Sequence, residues 1–299
     1  MAAFRVPENS WRLGLSALFA LALTQSSGSA SSREQVDIAL VIATDVSYSV
    51  DENEAHFQRQ GAVVAFRSPD VVKAIQAGAL GRIAVAYLDF ASYSSNKIIA
   101  DWHIIHDKAS ADAFADVLAL APRTLGVQTS ISSGIEMGEH LLDTSGIAAT
   151  KRIIDVSGDG PNNEGHLVAK VRDEAVAKGI IINGLPIMTP ADQFDIYYLA
   201  DLDKYYAGCV IGGPGSFIQV AHGFEDLARA LRRKLIQEIS DAGRPQNPLI
   251  VKVATGAPRA PSPHAIYEKG CDIGERMRFG SFQPLDAQAD NQVDNQPAP

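Results

Sequence analysis

The chain has 299 residues, 46% of them apolar, and a formal net charge of −9. That apolar share is enough for a substantial core and excludes disorder of the whole, and an acidic balance without a Lys/Arg cluster argues against nucleic acid as a partner. The first thirty residues carry Arg5 and Arg12, an apolar stretch from Leu13 to Leu23 and then Gly28-Ser29-Ala30. This is the layout of a cleaved signal peptide, and its apolar part is too short to span a bilayer of about 30 Å. We therefore expect residues 1–30 to be removed, no transmembrane segment in the mature chain, and a periplasmic or secreted location.

Residues 36–44 form a β-branched, almost unbroken apolar run that ends in Asp45-Val46-Ser47-Tyr48-Ser49. Such a run reads as a parallel strand buried on both faces, and open parallel sheets bind ligands beyond the carboxyl ends of their strands. Asp51, with Glu54 three residues on, predicts a capped helix over 52–66, with Phe57, Val64 and Phe66 among the candidates for its sheet-facing side. Pro69 opens a second helical segment to residue 77. Strands are expected at 82–90 and 97–105; the link between them is too brief for a crossover helix, so they form an antiparallel hairpin at one sheet edge.

Ser110 is read as the cap of a helix to residue 120, and Thr129 stands just before another over 130–142. A strand at 151–157 runs into the turn Gly158-Asp159-Gly160. A helix over 165–178 and a strand over 180–185 follow, then a helix opened by Pro190 and carrying Phe194, Tyr198 and Leu202. Cys209 to Ile211, with Phe217 to Val220, is assigned to the last strand or its flanks, and 224–239 is an amphipathic helix with Leu227, Leu231 and Leu235 on one face. The alternation predicts a doubly wound α/β fold over 35–240, mostly parallel with one antiparallel edge strand and helices on both faces. Residues 241–299 form a Pro-rich extension, expected to be disordered towards its end.

Asp45-x-Ser47-x-Ser49, then Thr129, then Asp159 before a glycine, resembles the metal-ion-dependent adhesion site of von Willebrand factor A-like (vWA) domains. Stretches such as Ile154-Asp155-Val156-Ser157-Gly158-Asp159-Gly160-Pro161-Asn162-Asn163 are similar to an exported proteobacterial vWA-like family of unknown function. The resemblance implies that Ser47, Ser49 and Thr129 ligate Mg²⁺ (or Mn²⁺ or Ca²⁺) through their hydroxyls, with Asp45 and Asp159 acting directly or through waters. Two carboxylates offset the charge of the ion, and an open position takes an Asp or Glu carboxylate from a protein partner. Tyr48 departs from the glycine commoner at its position, and Asp89 and Asp155 are the alternative acids.

The function expected is thus that of a metal-binding interaction module and not of an enzyme. The alternative is a metal-dependent hydrolase using the same site, although no Gly-x-Ser-x-Gly elbow or His-Glu-x-x-His motif occurs. His103, His106 and His166 are scattered and read as surface residues. Cys209 and Cys271, the only cysteines, form a disulfide if the chain is exported.

Overall fold

The computed structural model describes residues 33–190, 196–242 and 266–280. The expected signal peptide and the end of the Pro-rich extension lie outside these residues. Five strands, β1 (Gln35–Asp45), β2 (Ile83–Phe90), β3 (Lys97–Ile105), β4 (Ala148–Gly158) and β5 (Ile180–Pro186), form one sheet in the order β3-β2-β1-β4-β5. β1 is central and pairs in parallel with β2 and β4, β4 pairs in parallel with β5, and β2 and β3 are antiparallel. The doubly wound fold and its antiparallel edge are therefore as expected.

Side chains alternate across a strand, so β1 feeds two cores. Ile38, Leu40 and Ile42 enter the one under α1 (Glu52–Arg67), α2 (Pro69–Gln76), α3 (Lys108–Leu120) and α7 (Leu227–Ala242). Ala39, Val41 and Ala43 face the other, under α4 (Ile131–Thr144), α5 (Val168–Ala177), the short α6 (Leu202–Tyr205) and the π-helical turn Tyr206–Val210. The chain leaves β1 for β2 on one side and later returns to β4 on the other. That reversal puts a crevice at the carboxyl ends of β1 and β4, where an open α/β sheet takes its ligands.

Local departures from the sequence reading have physical causes. α3 begins at Lys108 because Asp107 caps it, accepting from Ser110 N at 2.8 Å, so Ser110 sits inside the first turn and closes a capping box. α1 turns a different face to the core than its bulk suggests: Phe57 and Val64 are exposed, while Gly61, Ala62 and Val63 are buried with Phe66. A Cβ on Gly61 would lie 3.3 Å from Ala228 N, so the small residues are what let α7 come close.

The helix expected from Pro190 falls partly outside the described residues, and 196–201 is irregular before α6. Cys209 and Val210 lie in the π-helical turn, not in a strand. In place of a sixth strand, isolated bridges join Ile182 to Gly212, Gly184 to Ile218 and Ile187 to Ala221. Pro214 has no N–H to donate and Gly213 holds φ +92°, which breaks a ladder there while still covering the β5 edge.

Part of the extension folds back. Residues 266–280 include α8 (Ile273–Arg278), and Tyr267 and Ile273 are buried in the second core. A disulfide joins Cys209 to Cys271, with Cα atoms 5.4 Å apart. Among the described residues no helix is long and apolar enough to cross a membrane.

Candidate metal centre

Asp45 is the last residue of β1 and is fully buried, with Ser47, Thr129 and Asp159 almost so, whereas Ser49 and Tyr48 are open to solvent. The fold brings the five oxygen-bearing residues together. Ser47 N donates to Asp45 Oδ1 at 2.9 Å, which bends the chain back over the strand end. Thr129 Oγ1 donates to Ser47 Oγ at 3.1 Å, Ser47 Oγ lies 3.1 Å from Ser49 Oγ, and Ser49 Oγ donates to Asp159 Oδ1 at 2.9 Å. Three hydroxyls thus connect the loops that follow β1 and β4 and the one that precedes α4.

Asp45 Oδ2 is buried without a hydrogen-bond partner. It faces Gly158, where a Cβ would come within 2.9 Å of both that oxygen and Tyr206 Oη. Burial, and then the neighbouring Asp159 carboxylate, push the Asp45 carboxyl well above its ordinary range. Burial and Asp45 likewise raise Tyr206, whose hydroxyl is also without a partner. Two acids and an orphaned carboxylate oxygen fit a divalent cation, and hydroxyl and carboxylate oxygens are the donors that Mg²⁺, Mn²⁺ and Ca²⁺ prefer. Among the described residues no group of three or more His, Cys, Asp or Glu side chains is placed for a metal, so hydroxyls make up most of this donor set.

Sequence reasoning missed the supports. Thr129 N donates to Asn163 Oδ1 at 2.9 Å, and Asn163 N donates back to Thr129 O at 2.8 Å. Asn162 Oδ1 accepts from Ser132 N at 2.9 Å, and its own N–H donates to Tyr205 Oη at 3.1 Å. α8 then packs on this loop. Glu275 accepts from Asn162 Nδ2 at 2.7 Å, Arg278 donates to Asn163 O at 3.3 Å, and a Cβ on Gly274 would collide with Asn162 O. The polar character of the Gly160–Asn163 stretch was the only signal in the sequence.

The alternative acids lie elsewhere. Asp89 is buried against Arg59 at 2.8 Å, and Asp155 is buried against Lys234 of α7. His166 pairs with Glu136 at 2.7 Å, His103 bonds the Asp101 carbonyl and His106 sits beside Asp107. A cavity of about 430 Å³ lies on the α1 side, lined by Gln58, Arg59, Tyr87, Asp89 and Arg123 among others, and none of the five oxygen-bearing residues borders it.

Solved structures with a similar chain course include the pilus adhesin SpaC from Lactobacillus rhamnosus GG in an open conformation, at 18% identity and TM-score 0.49, over 70% of this chain and 31% of that one. Proximal thread matrix protein 1 from the mussel byssus, with a zinc-occupied MIDAS motif, is similar at 14% identity and TM-score 0.49, over 68% of this chain and 46% of that one. A von Willebrand factor type A protein from Catenulispora acidiphila is similar at 11% identity and TM-score 0.45, over 70% and 43%. The chain thus spans less than half the length of each. No curated protein matches it. Residues 35–243 match the family described as "Protein of unknown function (DUF1194)", and the chain belongs to that family.

Proposed function

We propose that this is an exported, metal-dependent interaction module. A single divalent ion, Mg²⁺ with Mn²⁺ or Ca²⁺ as alternatives, is held by Asp45, Ser47, Ser49, Thr129 and Asp159 and captures an Asp or Glu carboxylate of a protein partner. The observation that carries this reading is the chain of hydroxyls from Thr129 through Ser47 and Ser49 to Asp159, tied to Asp45 by the Ser47 N–H, buried at Asp45 and open at Ser49. An ion there offsets the burial and the Asp159 repulsion that raise Asp45, and its solvent side is free to accept a third anion.

The rim suits a protein partner. Tyr48, Leu125 and Val127 are exposed apolar residues, and Gly126 N donates to Val46 O at 3.1 Å, which ties the loop of the last two to the loop of the first. Scattered apolar residues are ordinary on a surface, but three around a charged centre resemble the mixed make-up of an interface core. The disulfide agrees with an oxidising compartment.

The test is thermal unfolding of the purified chain with chelator, Mg²⁺ and Mn²⁺, beside pull-downs from periplasmic extract. A ligand at a hundred times its Kd stabilises the state it binds by about 2.7 kcal/mol. Wild type gains this stability and the Asp45→Ala, Thr129→Ala double variant does not. Capture of a partner is lost in chelator and restored by the ion. Equal shifts in both proteins reject the site, and capture that persists in chelator rejects ion-bridged docking. Metal-dependent turnover of a phosphate ester or peptide, lost in Asp159→Ala, places the protein among hydrolases instead.

A further inference from the structure

Away from the metal centre, the sheet and α7 enclose three ionisable side chains. Lys234 is fully buried, and the side chains of Asp155 on β4 and Glu238 on α7 are 4% and 1% exposed. Lys234 Nζ contacts Asp155 Oδ1 and lies 2.5 Å from Glu238 Oε1. The same Glu238 oxygen accepts from Asn183 Nδ2 at 2.7 Å, and the Lys234 ammonium lies 5.5 Å from the centre of the Phe217 ring. Leu185, Leu227 and Leu231, all buried, line the same small void as Asp155. Two acids and one base withdrawn from water in this way are costly, and a salt bridge between two of them leaves the third uncompensated.

We propose that Lys234 and Asp155 are joined in the folded protein by an intramolecular isopeptide bond, with Glu238 as the proton shuttle. Nζ is already in contact with the Asp155 carboxyl, and a neighbouring acid reaches the amine. Asn183 is a poorer acyl partner, because its carboxamide is held at both ends, the oxygen by Phe217 N at 3.1 Å and the nitrogen by Glu238.

The step balances without any co-reactant. The ammonium proton passes to the Asp155 carboxylate, giving an amine and a carboxylic acid. Nζ attacks Cγ while Glu238 donates a proton to a carboxyl oxygen. The new N–C bond forms, Glu238 recovers a proton from the nitrogen, the C–O bond breaks and water leaves. Nothing is oxidised or reduced. Two charges become one neutral amide, which removes the cost described above.

Two observations support the chemistry. Burial, and then the Asp155 carboxylate, hold the Glu238 carboxyl well above its usual range, so it carries the proton the step requires. Burial alone would strip the proton from Lys234, but the Asp155 carboxylate and the hydrogen bond that Glu238 accepts outweigh it and keep the amine charged at rest. The transfer within the pair is therefore the first event. A void of about 20 Å³ borders Asp155 together with Gln58 and Tyr87. That is room for one water molecule, the leaving group.

The decisive measurement is the intact mass of the full chain as secreted, after thiol reduction and with its N-terminus determined. Wild type is expected to weigh one water molecule less than its sequence, and a tryptic digest should contain a branched peptide joining the β4 segment to Lys234. Asp155→Asn is expected to lose ammonia and reach the same final mass as wild type. Glu238→Gln is expected to retain its full mass; if it folds and still loses water, the shuttle role is wrong. Wild type at full mass, with Lys234 in a linear peptide, overturns the bond and leaves a buried ion pair. If Glu238→Gln fails to fold, the wild-type mass decides alone.

Discussion

Asn163 grips Thr129 from both sides of the chain, accepting from its N–H at 2.9 Å and donating to its carbonyl at 2.8 Å. A two-point clamp fixes backbone direction, and so fixes where the Thr129 hydroxyl meets Ser47. Replacing Asn163 leaves the buried Thr129 N–H unpaired, a change that costs about 1–3 kcal/mol. Asn163→Ala is expected to lower stability by that order and to weaken Mn²⁺ binding several-fold, as read by calorimetry. Unchanged Mn²⁺ affinity in a folded Asn163→Ala protein would show that the clamp does not position Thr129.

Gly158 is required where β4 meets the site. A Cβ there lies 2.9 Å from both Asp45 Oδ2 and Tyr206 Oη, closer than real Cβ atoms come, and both of these side chains are buried. Gly158→Ala is expected to cost about 1–3 kcal/mol, as overpacking of a tight core does. Because the displaced atom is a carboxylate oxygen of the centre, metal affinity should fall as well. A variant that keeps both its denaturant midpoint and its ion affinity would show that the strand end is looser than this geometry.

Much of this was legible in the chain itself. The abrupt change from a β-branched run to Asp45, Ser47 and Ser49 locates a strand end, and the order of Thr129 and Asp159 fits loops at the same sheet edge. What could not be read depends on contacts distant in sequence. Glu275 meets Asn162 across 113 residues, and no local pattern marks α8 as a brace for the Asp159 loop. Lys234 lies seven residues after Leu227, on the apolar face of α7, and nothing local in the chain shows that its charge is met by Asp155 of β4. On α1 the rule that large residues face inward fails, because Gly61 sets the approach of α7 and small residues take the buried face.

The proposed metal centre should couple ion binding to pH. Without an ion, folded Asp45 holds its proton above the ordinary carboxylate value of 3.8, because of burial first and Asp159 second. Between that value and the raised one, the folded state binds more protons than the unfolded state, so this group's contribution to stability falls as pH rises. A divalent ion displaces the proton and reverses the penalty. Unfolding curves collected from about pH 4 to about pH 8 should therefore show the gap between Mg²⁺ and chelator widening as pH rises. A gap independent of pH would mean that Asp45 is ionised throughout and does not limit binding.

The disulfide should govern the same site from a distance. It closes a sequence separation of 62 residues, worth about 4 kcal/mol in the chain-entropy model, and so holds residues 266–280 against the fold. Through that segment Glu275 reaches Asn162, Arg278 reaches Asn163 O, and Tyr205 Oη bridges Asn162 N and the Cys271 carbonyl, at 3.1 and 3.5 Å. Asn163 in turn clamps Thr129. Releasing the segment takes away the outer wall of this loop while leaving the five oxygen-bearing residues unchanged in sequence. The Cys271→Ser protein is expected to unfold at lower denaturant and to bind Mn²⁺ several-fold more weakly; in wild type, thiol reductant should reproduce the second effect and reoxidation should restore it. Lower stability with full ion affinity would show that α8 braces the fold without positioning Thr129.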